Sequence, residues 1–372
     1  MVNPSDPEPG AQRDSHTLAS DITGSAHRPD PASVVSTPLA RGRFPLRVRY
    51  LPSTADPAGL EGETALAEIH FGGSGATAAA GLRPTARVAM EPLGGSATVE
   101  VWTSSMPVRY GEADGIQYAA ADEFLFGVLS APYKIASDDF VDRVQKVFRD
   151  IFALTAAQGY PHLLRMWNYF PDINGHYDDL ENYQRFCRGR AQAFQERYGD
   201  FNFLLPSACA LGTGAGPFVV YFIASRSAGV HRENPRQVSA YRYPPQYGQR
   251  SPSFARATLT RGGEGELLFI SGTASIVGHQ SLHAGDVRAQ LDETFHNIEA
   301  LVESTAADEQ TRFRSLTDID HLKVYLRRAA DMDIAREFVE RRIGAGAQAI
   351  YLVGDVCRRE LLVEVEAVLS SR

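Results

Sequence analysis

The chain has 372 residues, of which 44% are hydrophobic, 22% charged and 10% aromatic, the proportions of an ordinary globular protein with length for two to three domains. Its formal net charge of −8 argues against a surface built for nucleic acid or for an anionic membrane, and leaves room only for a local basic site. No apolar run approaches the roughly 20 residues that span a bilayer and no secretory leader pattern opens the chain. Cys187, Cys209 and Cys357 cannot all pair and show no CxxC spacing, so a reduced, cytoplasmic setting is expected.

Residues 1–40 hold six prolines and no aromatic side chain. Such a segment buries too little apolar surface to offset its ordering entropy, so a disordered tail is expected over residues 1–43. From Phe44 to Ala120 the sequence is strand-like, with Gly-rich turns such as Gly72-Gly73-Ser74-Gly75. An apolar strand follows at Glu123 to Phe126. Asp139 then stands at a helix N-cap position before Phe140, Val144, Phe148 and Ile151, which share one helical face. A strand opens at His162-Leu163 and ends at Asp172, a second helix follows, and a strand closes the series at Pro217 to Ala224.

The series then recurs. Glu266 to Phe269 repeats the first strand at an offset of 143, and Asp286, Val287, Leu291, Phe295 and Ile298 repeat the helix at 147. From His321, Leu322, Val324 and Leu326 alternate with Lys323, Tyr325 and Arg327, the period-2 pattern of a half-buried strand. That stretch ends at Asp331, a helix follows, and Glu360 to Ala367 closes the second series. The prediction is an α+β fold with mixed sheets, a duplicated β-α-β-α-β unit with one copy over 44–230 and the other over 231–372.

Between the copies, Arg226 to Arg261 carries seven arginines against the single acid Glu233, a local charge of +6, with Tyr241, Tyr243 and Tyr247 interleaved. The segment reads either as an anion site of guanidinium forks or as a solvated loop. A platform for single-stranded nucleic acid fits the composition less well, given the overall charge. On the helix that follows Asp172, spacing places Tyr183, Cys187, Arg190 and Phe194 on one stripe and turns Arg188 away. An arginine on such a stripe either snorkels or faces a buried anion. In the last strand Glu364 and Glu366 share the face opposite Leu361, Val363, Val365 and Ala367. That face is either solvated or folded into a cleft. A solvated face is the usual case; an offset of 142, which aligns Gly212 with Gly354, sets apolar Phe222 opposite Glu364 and Ala224 opposite Glu366 and so keeps the cleft open as the alternative. A desolvated glutamate there would donate a proton near neutral pH.

The second copy, through Leu268-Phe269-Ile270-Ser271-Gly272-Thr273-Ala274 and Val363-Glu364-Val365-Glu366-Ala367, resembles the RidA (YjgF) fold, which is built like the trimeric chorismate mutases. The chain from about Phe44 onward resembles the chorismatases more specifically. The resemblance is carried by Met166-Trp167-Asn168-Tyr169-Phe170-Pro171, the Tyr183 to Phe194 helix, Glu233 to Tyr241, Ser253-Phe254-Ala255-Arg256-Ala257, Ser271-Gly272-Thr273-Ala274-Ser275 and Cys357 to Glu364. It implies two tandem RidA-like domains and a reaction in which chorismate loses its enolpyruvyl group as pyruvate, with no metal or organic cofactor. It places the catalytic glutamate at Glu364. Arg190, Arg236 and Arg256, with Tyr183 and Tyr241, are the candidates to hold the two carboxylates of chorismate, at the interface of the two halves.

Within the family, Cys357 and Gly272 resemble the 3-hydroxybenzoate synthase type, in which the ring C4 hydroxyl attacks C3 and the resulting arene oxide rearomatises. As plain structure, Cys357 would be a small buried hydrophobe and Gly272 a tight strand approach. The hydrolytic type would instead release a dihydroxycyclohexadiene carboxylate, and a related type also makes 4-hydroxybenzoate. The product is expected to feed secondary metabolism. Two other readings remain. One is a RidA-like enamine or imine deaminase, weakened because Ala347-Gln348-Ala349-Ile350 lacks that family's arginine. The other is a non-catalytic binding module. No nucleic-acid or membrane partner is expected, and the chain would be a monomer or a trimer.

Overall fold

The computed structural model describes residues 44–55, 62–72, 81–95, 98–199, 204–263, 265–344 and 346–371. The expected tail over 1–43 and residues 73–75 of the Gly-rich turn lie outside the described residues. In chain order the elements begin with β1 (Leu46–Pro52), β2 (Thr64–Phe71), β3 (Thr85–Val88), β4 (Pro92–Leu93) and β5 (Thr98–Ser104). A first series follows: β6 (Arg109–Ala113), β7 (Ile116–Ala121), β8 (Phe124–Ala131), α1 (Phe140–Gln158), β9 (His162–Pro171), the short pair β10 (His176–Tyr177) and β11 (Leu180–Glu181), α2 (Asn182–Tyr198), β12 (Ser207–Thr213) and β13 (Phe218–Ser225). The second series is β14 (Val230–Arg232), β15 (Ala257–Gly262), β16 (Gly265–Thr273), the short pair β17 (Ile276–Val277) and β18 (Gln280–Ser281), α3 (Val287–Glu309), β19 (Ile319–Leu326), α4 (Met332–Ile343), β20 (Gln348–Val353) and β21 (Val363–Ser370).

The two series build matching mixed sheets. The first runs β12-β9-β13-β8-β7-β6 and the second β20-β19-β21-β16-β15-β14, with β4 added beside β20. In each, the outer pair, β12 with β9 and β20 with β19, is parallel, and the other pairings are antiparallel. The repeat therefore has the expected α+β class, but each sheet has three strands more than the β-α-β-α-β pattern: β6, β7 and β12 in the first, β14, β15 and β20 in the second. β6 and β7 fall in or beside the stretch to Ala120 read as strand-like, whereas β12 carries Gly212 and β20 lies between Gly346 and Gly354, punctuation that masks both penultimate strands in the sequence. β1-β5-β2-β3 form a further four-stranded sheet.

Three cores follow. α1 and α2 cover one through Phe140, Val144, Phe148, Ile151, Phe186 and Phe194, and α3 and α4 cover another through Leu291, Phe295, Ile298, Ala335 and Phe338. The faces that α1 and α3 bury are the ones the sequence spacing picked out. A third core joins residues of all three sheets, among them Val48, Leu66, Trp102, Trp167, Tyr221, Phe269 and Tyr325. Asp286 caps α3 by accepting from the Ala289 N–H. Asp139 does not cap α1; its carboxylate is taken by Ser137 and Arg143. Asp172 does not lead directly into a helix either, because the β10–β11 hairpin intervenes before α2.

Strand register also corrects the alignment of the closing strands. Gly127 pairs with Phe222 and Ile270 with Ala367, so when Phe126 is matched to Phe269, Phe222 corresponds to Ala367. The counterparts of Glu364 and Glu366 are then Val219 and Tyr221, not Phe222 and Ala224. Phe222 and Ala224 pack beneath the helices, whereas Val219 and Tyr221 belong to the central core. The two glutamates do lie in the interior: Glu364 is 5% and Glu366 4% exposed. Among the described residues, no helix is long and apolar enough to cross a membrane.

Candidate active site

A cavity of about 290 Å³ lies between the two series. α2 contributes Tyr183, Cys187 and Arg190, β12 contributes Ala208, Cys209 and Ala210, and the connector contributes Tyr243, Tyr247, Phe254 and Arg256. The second series adds Gly272, Ala274, Ile276, Cys357, Arg358, Leu361 and Glu364. Six of the eight site residues expected from sequence therefore converge: Glu364, Cys357, Gly272, Tyr183, Arg190 and Arg256.

Arg236 and Tyr241 are not among the lining residues. The Arg236 guanidinium is bound to Glu293 at 2.6 Å and to Asn297 Oδ1 at 2.7 Å, both on α3. Tyr241 packs against the first series' core, with Arg242 over its ring. The connector's charge is dispersed in the same manner. Arg232 pairs with Asp308 and Glu309, and Arg261 with Glu266 and Glu309. Of its seven arginines only Arg256 lines the cavity.

Glu364 projects from β21 over β16 at the point where their register shifts, between Ile270 and Thr273. There it lies directly against Gly272: a Cβ on that residue would overlap Glu364 Oε1 and approach its Cδ to 2.7 Å. Gly272 is thus required for space, since its φ is not in the left-handed region. Burial, reinforced by the neighbouring charge of Glu366, pushes the Glu364 carboxyl up to about 8. Arg165 and Arg256 act in the opposite sense and do not cancel the rise. At neutral pH Glu364 is therefore a carboxylic acid facing a cavity.

The cations facing that acid are incompletely paired. Arg190 is 3% exposed, and among the described residues its Nε and Nη2 have no hydrogen-bond partner. It is flanked by the rings of Phe148 and Phe194, at 5.3 and 5.5 Å, and burial brings it down to about 10. Arg256 donates from Nη2 to Tyr243 Oη at 2.6 Å and to the Val238 carbonyl at 3.2 Å, while its Nε is unpartnered. Arg358, which the sequence pattern did not single out, lies over the Tyr247 ring at 3.9 Å. Its Nη1 donates to the His279 carbonyl and to Ser281 Oγ, and its Nη2 is buried without a partner. Because a buried donor left unmade is costly, three such guanidinia around one cavity fit an anionic ligand that completes their bonds.

Of the other lining residues Glu181, Arg359 and Glu360 carry ionisable groups, Arg359 and Glu360 being exposed, and the rest are apolar or neutral. Burial pushes Cys187 and Cys357 up to about 12 and Cys209 well above the usual thiol range, so all three stand as thiols. Burial likewise raises the Tyr183 phenol. Among the described residues no group of three His, Cys, Asp or Glu side chains is placed to hold a metal ion.

Comparison with known proteins agrees with this geometry. Residues 100–224 match the family model described as chorismatase FkbO/Hyg5-like, N-terminal. A 3-hydroxybenzoate synthase of Streptomyces hygroscopicus is 38% identical over 278 residues, 73% of this chain and 81% of that protein. A chorismatase of Streptomyces rapamycinicus is 38% identical over 277 residues, 73% and 82% of the respective chains. A chorismatase crystal structure superposes with a TM-score of 0.81 at 34% identity, covering 88% of this chain and 99% of that one.

Proposed function

The chain belongs to the chorismatase family, and from that premise we propose that it converts chorismate to 3-hydroxybenzoate and pyruvate, with Glu364 as the proton donor. The observation that carries the reading is a buried, protonated glutamate beside unpaired guanidinia in one cavity. Chorismate is a dianion with an acid-labile enol ether, and that combination of groups matches both properties.

In the proposed sequence Arg190, Arg256 and Arg358 take the two carboxylates, and Tyr183 orients the ring from α2. Glu364 gives its proton to the enolpyruvyl methylene, which becomes a methyl group and leaves an oxocarbenium centre at the ether carbon. The ring C4 hydroxyl attacks C3; the C3–O ether bond breaks as its electrons form the carbonyl of pyruvate, and the C4 hydroxyl proton passes to the Glu364 carboxylate. Opening of the resulting arene oxide at C4, with loss of the C3 proton, restores the aromatic ring as 3-hydroxybenzoate. Atoms balance without water, and Glu364 ends as it began.

The wall composition favours the internal attack. Cys357, Cys187, Cys209, Ala274 and Leu361 present no charged group to order a nucleophilic water. Gly272 lets the acid approach the strand backbone. The test is incubation of the purified chain with chorismate, with pyruvate quantified and the aromatic product identified by chromatography. Stoichiometric pyruvate and 3-hydroxybenzoate are expected. No pyruvate above the uncatalysed background would refute the activity, and a dihydroxycyclohexadiene carboxylate would refute the product.

A further inference from the structure

Two residues beyond Glu364 on the same strand face, Glu366 sits in a closed set of charges. Its Oε2 accepts from Arg165 Nη2 at 2.5 Å, and its Oε1 from Lys323 Nζ and Trp167 Nε1, each at 2.8 Å. Lys323 Nζ also lies 2.6 Å from Glu100 Oε2 and donates to Tyr221 Oη at 2.8 Å, and Glu100 accepts in turn from Trp102 Nε1 at 2.6 Å. Glu100, Arg165, Lys323 and Glu366 are all 4% exposed or less. Two carboxylates match two cations, so the set is neutral as it stands.

Glu364 is a third carboxyl outside that balance. From β9 it faces Arg165, already committed to Glu366; from the connector it faces Arg256; from β12, α2 and the segment before β21 it faces Cys209, Tyr183 and Cys357, all neutral. Burial works against ionisation of Glu366 too, but Lys323 and Arg165 hold it below the usual carboxylate range. Its charge therefore persists about 7 Å along the strand from Glu364. Buried ion networks are weak contributors to stability compared with apolar packing. The first series confirms that packing here needs no carboxylate, since the counterpart of Glu366 is Tyr221.

We propose, resting on the reading of Glu364 as the acid, that Glu366 is a positioning residue for the reaction: a fixed negative charge, anchored by Arg165, Lys323 and Trp167, that keeps Glu364 loaded with its proton. Arrival of a dianionic substrate at the arginines acts in the same direction, because it neutralises the cations that would otherwise favour ionised Glu364.

The experiment compares kcat/KM for pyruvate release from pH 5.5 to 10 in the wild type, Glu366→Gln and Arg165→Gln. Removing the negative charge should carry the basic limb of Glu366→Gln down by about one to two pH units, so that activity is within about twofold of wild type at pH 6 and roughly five- to fiftyfold lower at pH 8. Removing the positive charge should carry the limb of Arg165→Gln upward. Opposite shifts are something a packing defect would not produce. A folded Glu366→Gln protein whose limb stays in place, or whose activity falls equally at every pH, overturns the positioning role. If the variants do not fold, a carbon-13 titration of glutamate-labelled wild type decides: the signal assigned to Glu366 should remain ionised through the range in which that of Glu364 protonates, and joint titration overturns the proposal. Wild-type turnover by Glu364→Gln would instead refute the acid assignment beneath it, so the two failures are distinguishable.

Discussion

Arg190 offers a test in which stability and activity should move in opposite directions. The side chain is 3% exposed and, among the described residues, has no carboxylate partner and leaves Nε and Nη2 unpaired. Its fall from 12.5 to about 10 by burial means that the folded protein holds the charged form less readily than the unfolded chain does. Below pH 10 this corresponds to a destabilisation of about 3 kcal/mol. Arg190→Met keeps the aliphatic volume and removes the charge. It also forfeits the contacts over Phe148 and Phe194, worth together roughly 1–2 kcal/mol. The variant should therefore be more stable by about 1–2 kcal/mol at pH 7, read as a rise in denaturation midpoint at unchanged m-value. In a coupled assay for pyruvate it should lose at least about tenfold in kcat/KM, the lower end for removing a charge-assisted bond to a buried carboxylate. Unchanged or lowered stability with an unchanged KM would show that Arg190 is satisfied within the free protein and is not waiting for an anion.

The remaining predictions concern the acid and its walls. With the Glu364 carboxyl pushed up to about 8 and the protonated form active, kcat/KM should be level below that pH and fall about tenfold per unit above it; a profile rising through pH 8 would reverse the assignment. Because the folded value lies above the unfolded one, the stability conferred by protonated Glu364 is complete below the ordinary carboxyl range and is lost as pH rises through about 8. Glu364→Gln should thus be inactive yet progressively more stable than wild type from pH 5 to 8, in denaturant titrations across that range. Gly272→Ala, whose Cβ would lie 2.7 Å from Glu364 Cδ, must displace the carboxyl by about 1 Å and should cost roughly ten- to a hundredfold in kcat; wild-type kcat would mean the acid tolerates misplacement. Cys357→Val should alter the ratio of 3-hydroxybenzoate to diol by chromatography, and an unchanged ratio would remove the thiol from product control. Arg236→Met should leave KM within about twofold, since its guanidinium is committed to α3.

Periodicity revealed what depends on periodicity. The helical faces at Phe140 and Val287, the stripe carrying Tyr183, Cys187 and Arg190, and the shared face of Glu364 and Glu366 all follow from spacing along one element, though not that this last face points inward. Features that depend on a second element were hidden. Lys323 lies between Leu322 and Val324 and so marks the polar face of a half-buried strand, yet it is 2% exposed, because the sheet of β1, β2, β3 and β5 covers that face and supplies Glu100. The one internal hint was Arg165, a charge within the apolar run Leu163-Leu164-Arg165-Met166-Trp167, which requires a buried partner elsewhere. The connector misled for the converse reason. Its +6 is a sum over one segment, and the acids on α3 that answer it, Glu293, Asp308 and Glu309, sit roughly 50 to 80 residues downstream of the arginines they pair with. Arg358 stands in an Arg-Arg pair that carries no periodic signal, and what distinguishes it from Arg359 lies on other elements: the rings of Tyr243 and Tyr247, the His279 carbonyl and Ser281.

The duplication explains why the site is single. Register pairs Trp167 with Tyr221 in the first series and Lys323 with Glu366 in the second, so these are counterparts, as are Tyr169 and Tyr325. The two tyrosine hydroxyls meet at 2.7 Å. On either side of that contact the counterparts bond crosswise: Trp167 of the first series donates to Glu366 of the second, and Lys323 of the second donates to Tyr221 of the first. The halves thus meet face to face about a pseudo-twofold pair, a symmetric arrangement that would permit two sites. Symmetry is broken two residues away, where Glu364 stands in the second series and Val219 in the first. The acid exists in one half only, while Arg190 and Cys209, which face it, come from the other. Placing Val219→Glu in the mirror position would not create a second acid site, because Val219 is fully enclosed in the central core at 1% exposure and no cavity with unpaired guanidinia adjoins it among the described residues. The expected result is a destabilised protein, since an unpaired buried carboxyl costs several kcal/mol, with kcat/KM per folded molecule no higher than wild type in the pyruvate assay. A doubled turnover would show that the acid alone, and not its asymmetric surroundings, makes the site.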